Sequence, residues 1–294
     1  MLRCLAWYDR DCAFMTNRTT RTTRIDVVAL DLDGTLLSTD EEISPRNRRA
    51  IGALLRAGVR VVIVTGRGVD TPARVARDLG IDHYPMICCH GALTRDLATG
   101  TTLGHVPVPL VHAKPIVEFA EERGLPIAVY AEDHFWRLEG QRPFMKDMTS
   151  PAWRETPSFK PLLGRPPTFI RFLGEDGAGA VRERFGHLPL SFRIERWLDF
   201  VECVVLDRDA GKKKALADLC RDWKVPARRV LAIGDSRNDV PMLRWAGIGV
   251  VMGNAAPDVR AMVPLVTATN DEDGVAEAID RYVFGGALGN ARSA

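Results

Sequence analysis

The sequence predicts an α/β fold in which a doubly wound parallel sheet is interrupted by a smaller, inserted α+β unit. Near-continuous apolar runs rich in Val and Ile alternate with capped, helix-like segments, the pattern of a parallel sheet covered on both faces. That alternation loosens between about residues 93 and 205, where proline-rich stretches and strands of mixed polarity take over, and it resumes from Lys212. The expected organisation is a flexible leader of residues 1–24, a first core segment of residues 25–92, an inserted unit of residues 93–205 and a second core segment of residues 206–294.

Taken in order, IDVVAL (25–30) reads as the first strand. Ser44 as N-cap and Pro45 in the first turn open a helix that Gly58 closes. VRVVIV (59–64) is the next strand, Thr71 and Pro72 repeat the opening signal for a helix ending at Gly80, and PMIC (85–88) is the third strand. In the insertion, PIAVYA (126–131), TFIRFL (168–173) and FVECVVL (200–206) read as strands, set among the proline-rich VPVPL and RETPSFKPLLGRPP. The return comprises a helix (212–223), the strand VLAI (230–233), a short helix, the strand GIGVV (247–251), a further helix and the strand LVTAT (265–269). GEDGAG (174–179) superficially resembles a phosphate loop, but its place between strand and helix makes it an ordinary turn. Asn254 in MGNAAPDV reads as a helix N-cap.

Composition excludes several classes of function. A chain of 294 residues with 46% hydrophobic content buries a full core, and its 40 basic and 38 acidic residues nearly cancel. No stretch combines dense Lys and Arg with aromatics, so nucleic acid is not an expected partner. No apolar run approaches the roughly 20 residues that span a bilayer, and charges break up the apolar patches of the first 24 residues, with Met15 an alternative start. The six cysteines form no CxxC pair and read as reduced thiols of a cytoplasmic protein.

The chemistry concentrates at strand ends. Asp31 and Asp33 follow the first strand in DLDGT, and the period of two expected of a strand sends both toward one face at the carboxyl edge of the sheet, where open α/β folds bind ligands. Turn chemistry alone accounts for a lone DxDG equally well. Counting Asp31 as position 1 of a calcium loop places Asp33 at 3 and Glu42 at 12, but Gly34 then falls at 4 instead of 6 and a strand precedes it. Thr65, Gly66 and Arg67 end the second strand, offering a hydroxyl and backbone N–H groups to phosphate oxygens. Lys212 opens the returning helix with a compact positive charge. GDSRNDVPML (234–243) brings Asp235, Asn238 and Asp239 to a third strand tip. Two unit charges about 4 Å apart repel by roughly 4 kcal/mol at an effective dielectric of about 20, so four gathered carboxylates call for raised pKa values or a cation, and an all-oxygen set suits Mg²⁺.

With DLDGT, TGR, GKKKAL (211–216) and GDSRNDVPML in this order, the chain resembles the haloacid dehalogenase-like superfamily, in particular its Cof-type phosphatases with a C2 (type IIB) cap. The resemblance spans roughly residues 25–283 and implies a Rossmann-like core with an inserted cap. It further implies that Asp31 is the nucleophile forming an aspartyl-phosphate and that Asp33 protonates the leaving oxygen and then activates water. Mg²⁺ is implied at Asp31, the Asp33 backbone carbonyl and Asp235, with Asp239 acting on it indirectly. Thr65, Gly66, Lys212 and Asn238 are implied at the phosphoryl oxygens. Lys213 and Lys214 stand where relatives usually carry a glycine after the lysine, and counting back from Ala215 and Leu216 favours Lys212. His90 stands where relatives often show Asn; it faces the substrate or, on the favoured reading, is a hydrogen-bonded linker.

The implied activity is Mg²⁺-dependent hydrolysis of a small phosphorylated metabolite such as a sugar phosphate, nucleotide or pyridoxal phosphate, by a monomer or homodimer. A phosphotransferase or phosphomutase on the same scaffold, or a catalytically idle protein that senses a phosphorylated ligand, are the alternatives. Candidate substrate-facing residues of the insertion are Glu132, Asp133, His134, Trp136 and Arg137, together with Arg193, Glu195 and Trp197.

Overall fold

The computed structural model describes residues 24–141, 152–196 and 201–287, so the expected leader up to residue 23, Met15 and Trp197 lie outside the described residues. The chain opens with β1 (Val27–Leu30), a wide turn over Leu32–Leu36, α1 (Pro45–Arg56), β2 (Arg60–Ile63), α2 (Asp70–Asp78) and β3 (Met86–Cys88). Ser44 caps α1 as its sequence implies, its Oγ accepting the Asn47 N–H at 3.0 Å. The second helix starts earlier than Thr71 and Pro72 suggest. Val69, its N-cap, is already helical at φ −65° and ψ −36°, so the chain leaves the TGR turn directly into the helix.

A hairpin of β4 (Leu93–Arg95) and β5 (Thr102–His105) pairs antiparallel with β3 and thus prolongs the core side of the molecule. Then come α3 (Leu110–Glu122), β6 (Ile127–Ala131), β7 (His134–Leu138), β8 (Trp153–Thr156), β9 (Phe169–Leu173), α4 (Gly174–Phe185), β10 (Leu190–Arg196) and β11 (Val201–Asp207). These strands form a sheet ordered β10-β11-β9-β6-β7-β8. GEDGAG is not the turn expected of it. It is the start of α4 itself, where Glu175 and Asp176 in the first turn complement the helix dipole and offset the poor helix propensity of three glycines.

The last section contains α5 (Lys212–Asp222), β12 (Val230–Gly234), α6 (Val240–Trp245), β13 (Ile248–Val251), α7 (Pro257–Arg260), β14 (Leu265–Val266) and α8 (Gly274–Val283). Its strands join the first ones in a parallel sheet ordered β14-β13-β12-β1-β2, and a parallel bridge from Val64 to Ile87 sets β3 beside β2. This is the doubly wound α/β sheet the alternation predicts. β1 lies in its middle, buried along its whole length, and the tips of β1, β2 and β12 are neighbours. Ala256, not Asn254, is the N-cap of α7, because the Asn254 side chain is spent elsewhere, as described below.

The six-stranded sheet presents two apolar faces. One packs with α3 and α4 around Ile127, Phe159, Phe172 and Cys203. The other carries Tyr130, Phe135, Phe169 and Val204 into the same apolar cluster as Cys88 and Cys89 of the core. Cys88, Cys89, Cys203 and Cys220 are free and buried. Among the described residues no helix is long and apolar enough to cross a membrane.

Gly91 joins the β3 end to α5. Its φ is +92°, and a Cβ there would stand 2.5 Å from the Lys212 nitrogen. Gly91→Ala is therefore expected to destabilise the fold by about 2 kcal/mol or more. Urea denaturation measures this, and a variant indistinguishable from the wild type would contradict the packing described.

Candidate active site

Asp31 follows the last residue of β1 in extended conformation, its N–H still donating to Ile233 O at 3.1 Å. The strand ends there, and with it the period of two. Asp33 belongs to the turn of residues 32–36, in which Gly34 takes φ +67° and a Cβ on it would meet Asp235 Oδ2 at 2.5 Å. Asn254 Nδ2 fastens this turn by donating to Gly34 O at 2.8 Å, while Asn254 Oδ1 accepts the Asn270 N–H at 3.0 Å. The Asp33 carboxylate pairs with Arg67, whose Nε lies 2.9 and 3.0 Å from its two oxygens and whose Nη2 also pairs with it. Asp33 is therefore not among the carboxylates that converge with Asp31.

The other three aspartates converge. Asp31, Asp235 and Asp239 each offer a carboxylate oxygen within 4.8 Å of the others. Lys212, the first residue of α5, lies among them with Nζ 2.8 Å from Asp31 Oδ1 and 2.7 Å from Asp239 Oδ1. A lysine at a helix N-terminus opposes the dipole, and this one is 2% exposed, so the two carboxylates are what hold it there. Lys213 and Lys214 are exposed, and Lys214 pairs with Asp218 at 2.9 Å, so Lys212 is the lysine that enters the centre. The Asp239 Oδ2 accepts from Ser236 Oγ at 2.8 Å, from Ser236 N at 3.1 Å and from Asp235 N at 3.3 Å, folding the turn after β12 around its carboxylate. Thr35 Oγ1 donates to Asp235 Oδ1 at 3.2 Å.

Three carboxylates against one ammonium leave two negative charges when all are ionised. The imbalance appears in the acidities. Burial pushes the Asp31 carboxyl well up, with Lys212 opposing and Asp239 and Asp235 adding to the rise. Burial and the neighbouring Asp239 bring Asp235 to about 7. Burial alone would lower Lys212, but Asp239 and Asp31 outweigh it and hold the ammonium above its ordinary value. An all-oxygen set short of positive charge fits a hard divalent cation.

Thr65 is fully buried, its Oγ1 accepting the Arg67 N–H at 3.1 Å. The residues after β3 are stitched to this loop, Cys89 N to Arg67 O at 2.9 Å and His90 N to Thr65 O at 3.1 Å. Asn238 Oδ1 accepts from Ser236 Oγ at 3.0 Å, and Asn238 Nδ2 makes a long 3.4 Å contact to Glu195 Oε1 of the inserted sheet. Arg193 Nη2 donates to Ala210 O at 3.0 Å, just before Lys212.

The remaining candidates of the insertion stand apart from this centre. Glu132 and Asp133 form the β6–β7 turn, and Asp133 pairs with Arg95 at 2.7 Å. His134 contacts Glu132 O, Trp136 donates to Ala131 O, and Arg137 pairs with Glu155. His90 is not the hydrogen-bonded linker expected. It is buried, and neither ring nitrogen has a hydrogen-bond partner among the described residues. Sequence reasoning also passed over Arg67 as the partner of Asp33 and Tyr130, whose hydroxyl accepts the Val69 N–H at 2.9 Å. The arginine of TGR was the available signal for the first; nothing local marks the second.

A carboxyl whose folded pKa of about 7 exceeds its unfolded value costs stability as pH rises between the two. In a chelator, wild type is expected to lose stability relative to Asp235→Asn from roughly pH 4 to pH 7 and to level off above. Denaturation at a series of pH values checks this, and a difference independent of pH would contradict it.

Comparison with known proteins accords with this geometry. The family model described as haloacid dehalogenase-like hydrolase matches residues 28–279. The pyridoxal phosphate phosphatase YbhA of Escherichia coli is 28% identical over 271 residues, covering 88% of this chain and 98% of its own. The 5-amino-6-(5-phospho-D-ribitylamino)uracil phosphatase YwtE of Bacillus subtilis is 28% identical over 287 residues, covering 88% and 98%. A haloacid dehalogenase-like hydrolase from Bacteroides thetaiotaomicron of known structure superposes with a TM-score of 0.76 at 27% identity, covering 88% of this chain and 99% of that one. The chain belongs to the haloacid dehalogenase-like hydrolase family, among its Cof-type members with an inserted type IIB cap.

Proposed function

We propose that this phosphoric monoester hydrolase is a Mg²⁺-dependent phosphatase of a small phosphorylated metabolite, acting through an aspartyl-phosphate on Asp31. The observation that carries the reading is the buried bridge from Lys212 to Asp31 and Asp239 beside Asp235, which fixes a carboxylate nucleophile in a field short of positive charge. Asp31, Asp235 and the Asp33 backbone carbonyl would hold Mg²⁺, which when bound offsets the charge of the carboxylates and phosphoryl oxygens. Asp239 would orient the centre and not ligate, since both its oxygens already accept hydrogen bonds.

Lys212 engages Asp31 Oδ1 and leaves Oδ2 to attack phosphorus. As the ester P–O bond breaks, Asp33, released from Arg67 and protonated from solvent when substrate binds, passes that proton to the leaving oxygen; it then takes a proton from the water that attacks the acyl phosphate, which releases phosphate and restores the Asp31 carboxylate. Arg67 holds Asp33 at the side of the site facing solvent, where Asp33 is 35% exposed. Thr65, the Gly66 backbone and Asn238 are the proposed contacts of the phosphoryl oxygens. Of the expected insertion of residues 93–205, the six-stranded sheet with α3 and α4 is proposed to act as the cap, with Tyr130 on Val69 and Arg193 on Ala210 drawing the sheet over the strand tips and excluding water. The relatives named for pyridoxal phosphate and a ribityl phosphate support a small metabolite as substrate.

The expected result is Mg²⁺-dependent release of phosphate from 4-nitrophenyl phosphate, abolished by EDTA, restored by added Mg²⁺ and lowered roughly 10³-fold or more by Asp31→Asn. Undiminished turnover by the chelated enzyme or by the variant would overturn the reading.

A further inference from the structure

The loop Thr65–Gly68, proposed to bind phosphate, is tied to the core at its first half. Thr65 N donates to Ile87 O at 2.9 Å and Arg67 N to Thr65 Oγ1 at 3.1 Å, while His90 N and Cys89 N donate to Thr65 O and Arg67 O. The Gly66 N–H has no protein acceptor among the described residues and is the donor proposed for a phosphoryl oxygen. Both glycines lie against walls. A Cβ on Gly66 would stand 2.6 Å from His90 Cε1, and one on Gly68 would stand 2.6 Å from Tyr130 Cε2 and 3.1 Å from Phe135 Cε2. The core supplies the first wall and the inserted sheet the second.

The second half of the loop runs straight into α2, and the core does not cap that helix. Its N-cap, Val69, has no side chain able to accept a hydrogen bond, so the first N–H groups of the helix need an acceptor from elsewhere. Tyr130 of β6 supplies one, its hydroxyl accepting the Val69 N–H at 2.9 Å. The ring that carries the hydroxyl is fixed. Tyr130 is 1% exposed, stacks on its cross-strand partner Phe169 at 5.1 Å and meets its other partner, Phe135, edge-on at 4.8 Å. A phenylalanine would make the same ring contacts, so packing of the sheet does not call for the hydroxyl.

We propose that Tyr130 is a positioning residue of the phosphate site: from the inserted sheet it sets the geometry of the TGR loop, so that the cap helps to shape the place of the phosphoryl group as well as that of the leaving group. The proposal rests on the phosphatase reading above. Gly66 lies three residues before Val69 in a segment with two glycines, whose backbone is intrinsically permissive. Thr65 restrains that segment at one end, and the Tyr130 oxygen restrains it at the other. A donor displaced by about 1 Å loses much of a charge-assisted hydrogen bond, and with it catalytic alignment. The phosphoryl group is common to every ester, so loss of the hydroxyl weakens inorganic phosphate and substrate alike.

The test measures kcat/KM for 4-nitrophenyl phosphate and the inhibition constant of inorganic phosphate, with Mg²⁺, in the wild type, Tyr130→Phe and Arg95→Gln. Arg95→Gln breaks the ion pair from the β4–β5 hairpin to Asp133 in the β6–β7 turn, a contact of the same sheet that bypasses the loop. Tyr130→Phe is expected to raise the inhibition constant roughly tenfold or more and to lower kcat/KM at least as much, while Arg95→Gln stays within about twofold of the wild type. Hydrogen exchange reads the same effect in the backbone, faster over residues 65–73 in Tyr130→Phe and unchanged over β9. An unchanged inhibition constant or unchanged exchange in Tyr130→Phe, a loss confined to 4-nitrophenyl phosphate, an equal loss in Arg95→Gln, or a Tyr130→Phe protein that does not fold overturns the positioning role alone. A wild type without turnover overturns the phosphatase reading with it.

Discussion

The buried contact of Lys212 with Asp31 and Asp239 is the interaction on which the rest of the structure depends. It ties three segments distant in sequence, the end of β1, the start of α5 and the turn after β12, into one point at the carboxyl edge of the sheet. A charge taken out of water is tolerated only where partners compensate it, and here neither sign is stable without the other. The compensation is incomplete, since Asp235 stands in the same cluster without a cationic partner among the described residues. That deficit is the physical basis of the proposal that Mg²⁺ and an anionic substrate share the site, each bringing the charge the other lacks.

The inserted sheet adds a second constraint. Its core-facing surface carries Tyr130 stacked on Phe169 at 5.1 Å, which joins the core cluster. Arg171 lies over the Phe135 and Phe169 rings at 5.2 and 5.8 Å and pairs with Glu202 at 2.8 Å, and Arg193 and Glu195 lie on the strand beyond. Aromatic and charged groups thus share one face of the sheet. In the proposed function the core keeps the chemistry and the cap the choice of leaving group.

The sequence revealed most of the charged centre because Asp31, Lys212, Asp235 and Asp239 sit at ends of strands and helices, where periodicity and capping signals locate residues well. The parallel sheet was legible for the same reason, its strands being short apolar runs between capped helices. Asp33 was not, since past the strand its place depends on the left-handed Gly34 and on the Arg67 partner supplied by the loop after β2. Glu195 and His90 were harder still: their proximity arises from how the cap sheet lies over the core, which no local pattern encodes. GEDGAG and Asn254 show the opposite case, in which a familiar pattern misleads: first-turn acids carry the glycines of the one into α4, and the Gly34 carbonyl draws the side chain of the other away from a cap.

The central claim is that carboxylates from separate strand tips form one centre that a divalent ion completes. Calorimetric titration of Mg²⁺ into the wild type and Asp235→Asn at neutral pH tests it most directly. The account predicts saturable binding at a single site in the wild type and affinity lower by about 100-fold or more in the variant. Equal affinity in the two proteins, or no saturable binding in the wild type, would contradict it.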